Sequence, residues 1–401
     1  MGLLVLLALA PCRAQDSEAV LSLVHEAVEV LHTQAYRTEP RAVICTKALR
    51  GLIAQLGESA RSADRDLSTM LDDAAEAEFV RLLEGLASAP GQRMSLRELA
   101  ERAIQAWCRQ HDPYTKYVRS DDLKLVQLLS KTTGSGIGMS ILEKRDAFFC
   151  YPLPGSPAEA TGIKPGDKLL SVDGKAVDDK PLDYLAAIIR GAPGTDVSLR
   201  IERISGRAQT LKVTRETLTT PSVFVEKKLT GLILRVRKFS PEMPNEARKA
   251  LSQLSPGATL TIDLRGCPGG TLEHGIEFAG MFLEPGEVIV TVRTRGKPDD
   301  VIRDTQPREF KPAAIICLQD EGTASAAELV IAALVHSPAA RAASQGTKSY
   351  GKGVIQTRVT LRGGGSLAVT TGELIAPQGM TWDGIGLLPS LENRGRIFPK
   401  D

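Results

Sequence analysis

At 401 residues the chain is too long for one ordinary core, and about two to three domains are expected. Its apolar fraction of 42% and charged fraction of 24% are those of a soluble globular protein. Fifty Lys and Arg against 48 Asp and Glu give a net charge of +2, a balance that gives no support to nucleic-acid or anionic-membrane binding.

The opening "MGLLVLLALAPCRAQD" is an apolar run of about ten residues, half the roughly 20 a bilayer span needs. It reads as a secretory signal over residues 1–14, cut after Ala14, which makes the protein exported, periplasmic or extracellular. Cys12 supplies the alternative of a lipid anchor. The other cysteines, Cys45, Cys108, Cys150, Cys267 and Cys317, have neither metal-type nor redox-type spacing and read as buried free thiols.

Residues 15–130 read as a helical region. Val20, Val24, Ala27 and Leu31 recur at helical spacing after a cap at Asp16 or Ser17. Further on, Ser95 and Glu98 make a capping box before "LRELAERAIQAWC". From 131 to 217 short β-branched runs with turn signals indicate a small β domain, interrupted by the helix "PLDYLAAIIRG". From 218 to 401 strands such as "ATLTIDLRG" and "AAIICLQ" alternate with helices that start near 241, 271 and 325, and "RGGGS" marks a hairpin turn. The expected architecture is multidomain α/β (α+β).

Ser325 and Glu328 form another capping box, heading the apolar helix "AAELVIAALV". In one reading Ser325 only caps that helix. In the other it is a nucleophile at a strand-to-helix turn, where the Ala326 amide and the positive end of the helix dipole favour a developing oxyanion. Gly269 and Gly270 in "IDLRGCPGG" offer a second bare amide without a Cβ in the way. A nucleophilic hydroxyl needs a base. His336 lies 11 residues along the same helix, about 16 Å away, and of the remaining histidines only His274 stays open. Lys352, between Gly351 and Gly353, is the better candidate: burial lowers a lysine pKa, and the neutral amine can accept the serine proton. Gln356, four residues on, shares its face in a strand and can hold the amine. "GTKSYGKG" falls short of a phosphate-binding loop, because Gly353 stands where a magnesium-ligating hydroxyl belongs and a strand follows in place of a helix.

In order along the chain, "DPYTKYV", "GSGIGMSI", "PGSPAEATGIKPGDKLLSVDG", "IDLRGCPGG", "GTASAAELV", "SYGKGVIQT" and "APQGMTWDGIGLLPS" resemble the carboxyl-terminal processing (tail-specific) proteases. These are exported Ser/Lys peptidases with an inserted PDZ domain. The resemblance covers about residues 100 to 390. It implies a PDZ domain over 131–217 and a peptidase core over 218–401. It also implies Ser325 as nucleophile, Lys352 as general base and Gln356 as the residue orienting it, with the amides of Ala326 and Gly269 or Gly270 as oxyanion hole. No metal or other cofactor is implied. Gly136, Ile137, Gly138 and Met139 would capture a terminal carboxylate while a peptide adds as a strand. Partners would be unfolded or C-terminally exposed proteins and peptides, and relatives suggest a homodimer through the N-terminal helices.

The sequence departs from the pattern at Ala327, Cys267 and Ser390, and its Ser325–Lys352 interval is about two residues longer than typical, with the extra length near "HSPAARAA". Two other readings make different predictions: a catalytically inactive PDZ scaffold that binds tails without turnover, and a Ser-His hydrolase that depends on His274.

Overall fold

The computed structural model describes residues 6–129, 135–144, 147–153, 155–178, 180–217, 221–229 and 231–391, with their side chains from residue 16 onward except at 129 and 144. The Cys12 side chain therefore lies outside the described residues. The chain divides into two compact units, Met1–Lys131 with Gln356–Thr371, and Thr132–Ile355 with Gly372–Asp401.

The first unit is built from α1 (Leu6–Gln34), α2 (Arg41–Leu56), a 3-10 turn (Glu58–Ala63), α3 (Asp72–Ala87), α4 (Leu96–His111), β1 (Lys116–Val118) and α5 (Ser120–Leu129). The stripe Val20, Val24, Ala27 and Leu31 is buried, as its spacing predicts. The box at α4 forms, with Ser95 Oγ accepting the Glu98 N–H at 3.1 Å. At Gly51 the bare backbone lets α2 approach α4, since a Cβ there would lie 2.7 Å from that of Ala106. The start of the first helix is a correction. No helix start falls at Asp16 or Ser17; the helix continues back through Pro11 to Leu6. Among the described residues no helix is long and apolar enough to cross a membrane.

The second unit begins with the small β domain: β2 (Ser135–Gly136), β3 (Met139–Lys144), β4 (Ala147–Pro152), α6 (Pro157–Ala160), β5 (Asp167–Val172), β6 (Lys175–Ala176), α7 (Leu182–Ile189), β7 (Asp196–Glu202), β8 (Ala208–Thr214) and β9 (Glu216–Thr217). Its main sheet has the order β3-β4-β5-β7-β8, which leaves β3 on an edge. The α/β layer follows with β10 (Val223–Lys228), β11 (Gly231–Val236), α8 (Met243–Leu251), β12 (Thr259–Asp263), α9 (Leu272–Gly280), β13 (Val288–Thr294), β14 (Asp300–Arg303), β15 (Ala314–Gln319), α10 (Ala326–His336) and β16 (Ala342–Gly346). Its sheet order is β10-β11-β12-β15-β16, parallel from β11 to β16 with an antiparallel edge at β10. Leu234, Leu260, Ile262, Ile315 and Cys317 on these strands are buried, as expected for a parallel sheet with helices against it.

The last strands, β17 (Val354–Thr360) and β18 (Ser366–Ile375), form a hairpin. In the first unit Leu361, Leu367 and Val369 join the helical core, and Ser366 to Ala368 pair with β1. In the second unit Gly372 to Ile375 pair with β13.

Candidate active site

Three loops leave the carboxyl ends of three adjacent parallel strands: 264–271 after β12, 320–325 after β15 and 347–353 after β16. In open α/β sheets this edge is where ligands bind.

Ser325 sits at the head of α10 with φ 57 and ψ −119, a conformation a non-glycine residue holds only at a cost of about 1–3 kcal/mol. It forms the capping box with Glu328, whose Oε2 accepts the Ser325 N–H at 2.8 Å. The same oxygen accepts the Lys352 N–H at 2.9 Å. Glu328 Oε1 accepts from Gly351 N–H at 2.6 Å and from Ser349 Oγ at 2.5 Å. One buried carboxylate therefore fastens the serine turn to the lysine loop. In the sequence Glu328 shows only a capping role, and no local pattern points to the rest. Burial pushes the Glu328 carboxyl up to about 7, against the pull of these four donors.

Lys352 is partly buried, and desolvation holds its pKa below the ordinary lysine range, although Glu143, Glu328 and Asp383 pull it back up. The flanking glycines have a geometric reason. A Cβ at Gly351 would lie 2.8 Å from the Gly386 nitrogen, and one at Gly353 2.8 Å from the Asp383 nitrogen. Bare backbone lets the "TWDGIG" segment close over the lysine loop. Gln356 belongs to the first unit, where its Nε2 donates to the Tyr114 carbonyl at 2.7 Å.

Gly269 lies against the serine turn. A Cβ on it would be 2.6 Å from the Ala324 carbonyl oxygen, and 2.9 Å from both the Ala326 nitrogen and Ser325 Cβ. Ala326 N–H is one of the first-turn donors that a helix cannot satisfy internally. The Gly269 carbonyl accepts from Phe239 N–H at 2.9 Å, so across the planar trans peptide the Gly270 N–H points to the side away from Phe239. His274 lies on α9, its Nδ1 in contact with Thr271 Oγ1.

The departures have local accounts. Ala327 and Cys267 are fully buried in the core. The segment between Ser325 and Lys352 that the family resemblance marks as longer follows the far end of α10, about 16 Å of helix from Ser325. Ser390 exchanges hydrogen bonds with Ser344 on β16, 2.8 Å and 3.0 Å, and so fastens its segment to that strand without an acid.

In the β domain the Ile137 carbonyl accepts from Ala158 N–H, and that of Gly138 from Leu153 N–H, both at 2.9 Å. With those carbonyls turned inward, the Gly138 and Met139 amides point out, at the start of edge strand β3. They open on a groove of about 370 Å³ lined by Gly136 to Ile141, by α7, and by Pro221, Arg237, Lys238 and Pro268 from outside the β domain. Farther along, Leu142 and Tyr151 pack with Ala324 and Tyr350, and Tyr350 Oη donates to the Glu143 carbonyl.

Comparison with known proteins agrees with this architecture. Residues 231–392 match peptidase family S41, and residues 148–203 match the PDZ domain. A probable CtpA-like serine protease of Staphylococcus aureus (strain bovine RF122 / ET3-1) is 30% identical over 306 residues, which are 75% of this chain and 61% of the relative. Its counterpart in Staphylococcus haemolyticus (strain JCSC1435) is 29% identical over 304 residues, 74% of this chain and 60% of that one. The chain thus spans about three fifths of the length of the curated relatives it matches. Among solved structures, the photosystem II D1 C-terminal processing protease shares the fold, with a TM-score of 0.63 at 22% identity over 88% of this chain and 92% of that one. Residues 231–392 thus belong to peptidase family S41 and residues 148–203 to the PDZ domain, and the chain as a whole is similar to CtpA-like serine proteases.

Proposed function

We propose that this chain is an endopeptidase that captures the C-terminal tails of protein substrates in its PDZ groove and cleaves them by a Ser/Lys acyl-enzyme mechanism. The observation that carries the reading is the Glu328 carboxylate, which holds Ser325 and a desolvated Lys352 on one buried support. Ser325 Oγ attacks the scissile carbonyl carbon as its proton passes to the neutral Nζ of Lys352. The oxyanion is stabilised by the Ala326 N–H and by one from Gly269 or Gly270. Collapse breaks the C–N bond, and the leaving amine takes the proton from Lys352. Lys352 then accepts a proton from water as the water oxygen attacks the ester, and passes it to Ser325 Oγ as the acyl C–O bond breaks, which restores both groups. Gln356 is the orienting residue that the family resemblance implies. The Gly138 and Met139 amides receive the tail carboxylate, with Gly136 and Ile137 shaping the loop and the peptide pairing along β3. The apolar run over residues 1–14 fits an exported protein.

The test is cleavage of an unfolded polypeptide with an apolar free C-terminus, read by intact mass, beside Ser325→Ala, Lys352→Ala and His274→Ala. Turnover by wild type and His274→Ala, and by neither of the others, is expected. Loss of turnover in His274→Ala with retention in Lys352→Ala would establish a Ser-His hydrolase. Binding without turnover in every form would establish the tail-binding scaffold.

A further inference from the structure

The PDZ groove has two walls of different origin. One belongs to the β domain, with apolar Ile137, Leu182 and Ile189 and the exposed Arg190 at the end of α7. The other comes from the α/β layer, where Arg237 and Lys238 follow the end of β11. Among the described residues no aspartate or glutamate lines the groove, whereas three cationic residues do. Arg237 is 7% exposed and its guanidinium stacks over the Phe224 ring at 4.3 Å. Its Nε and Nη1 are buried, so what Arg237 offers the groove is a fixed positive charge at the wall, held at little further cost in side-chain freedom. Glu159 attracts Arg237 from outside the groove lining, but its Oε2 is engaged by the Gly155 N–H at 2.6 Å. A bound tail places its terminal carboxylate at the Gly138 and Met139 amides and its last side chain against the apolar wall. Its upstream residues then run along β3 beside the cationic wall.

We infer that the groove selects tails with acidic side chains just upstream of an apolar last residue, and that Arg237 and Lys238, outside the PDZ domain, set that preference. The inference rests on the tail-binding reading of the groove and adds the chemical class of tail. A single neutral residue at either position removes part of the field, and a like charge on the tail is repelled.

The test uses the whole chain as Ser325→Ala, so that ligand is not consumed, with fluorescence anisotropy on four labelled peptides. All end in the same apolar residue; two carry a Glu pair immediately upstream and two carry a Gln pair, each pair made with a free and an amidated C-terminus. The free Glu peptide is expected to bind about tenfold tighter than the free Gln peptide at low salt. That ratio falls to about twofold in Arg237→Gln and drops partially in the exposed Lys238→Gln. Equal affinity for the two free peptides, with amidation still weakening both, overturns the acidic preference and leaves tail binding standing. No effect of amidation overturns tail binding itself. Equal weakening of Glu and Gln peptides by Arg237→Gln, with Lys238→Gln silent, also overturns the assignment. Should Arg237→Gln fail to fold, Lys238→Gln and Arg190→Gln decide: unchanged Glu-over-Gln ratios in both overturn it.

Discussion

Glu328 Oε2 accepts the Lys352 N–H at 2.9 Å, a side-chain-to-backbone bond that spans 24 positions and ends on the turn of Ser325 as well. All four partners of this carboxylate are donors, so the ionised form is the one that satisfies the network. Glu328→Gln puts an NH2 group against two donors and leaves them unpaired in a buried place. Stability in urea is expected to fall by about 2–4 kcal/mol. Turnover should fall further than the folded fraction accounts for, because both loops lose their common anchor. A variant that matches wild type in kcat would remove Glu328 from any positioning role.

Lys352 provides a pH prediction whose sign is fixed by its surroundings. Burial lowers its pKa in the folded state, so between that lowered value and 10.5 the unfolded chain binds more protons than the folded one. Stability therefore rises with pH across that window, and below it the buried charge costs stability throughout. Lys352→Met is expected to melt above wild type at neutral pH, with the advantage shrinking as the pH approaches the ordinary lysine value. In wild type kcat/KM should climb with pH through the same lowered pKa, since only the neutral amine accepts the serine proton. A profile that rises nowhere below the ordinary lysine pKa, down to the acid limit of folding, would count against Lys352 as the base.

Much of this was legible in the sequence because its signals are local. The α4 capping box and the Val20–Leu31 stripe follow from spacings of a few residues, whereas the glycines around Lys352, visible as a pattern, owe their need to Asp383 and Gly386 far along the chain. What was not legible depends on distant pairing. The role of Glu328 needs the return of the chain after β16, and no spacing rule encodes a carboxylate that meets backbone amides 24 positions on. Arg237 reads as one basic residue among many until the fold brings it to the groove. Asp16 and Ser17 are residue types that favour helix starts, yet α1 runs through both to Leu6, so the residue type alone does not fix the start.

Tyr350 joins the lysine loop to the β domain through its hydroxyl on the Glu143 carbonyl, beside the packing of Leu142 and Tyr151 on Ala324. Tyr350→Phe keeps the ring and removes only that bond, so a loss of about 1 kcal/mol is expected. The readout with most content is the comparison of basal turnover with peptide affinity. Turnover should change while binding in the groove stays within about twofold, since the groove lies at the other end of β3. Equal losses in both would show that the contact serves general stability alone.

The sharpest test of the proposed oxyanion site compares two glycines with nearly the same φ. Gly269 has φ 92 and Gly286 has φ 91, so an alanine is strained about equally at either. Their surroundings differ. At Gly286 an added Cβ meets nothing within 4 Å, whereas at Gly269 it would lie 2.6 Å from the Ala324 oxygen and 2.9 Å from the Ala326 nitrogen and Ser325 Cβ. Gly286→Ala should cost about 1–2 kcal/mol of stability and leave turnover alone. Gly269→Ala carries the same strain and also pushes the glycine loop off the serine turn, so kcat is expected to fall on the order of a hundredfold or more. Steady-state kinetics and urea unfolding on both variants separate the two effects. Equal turnover in the pair would mean that proximity of the glycine loop to Ser325 has no part in the chemistry.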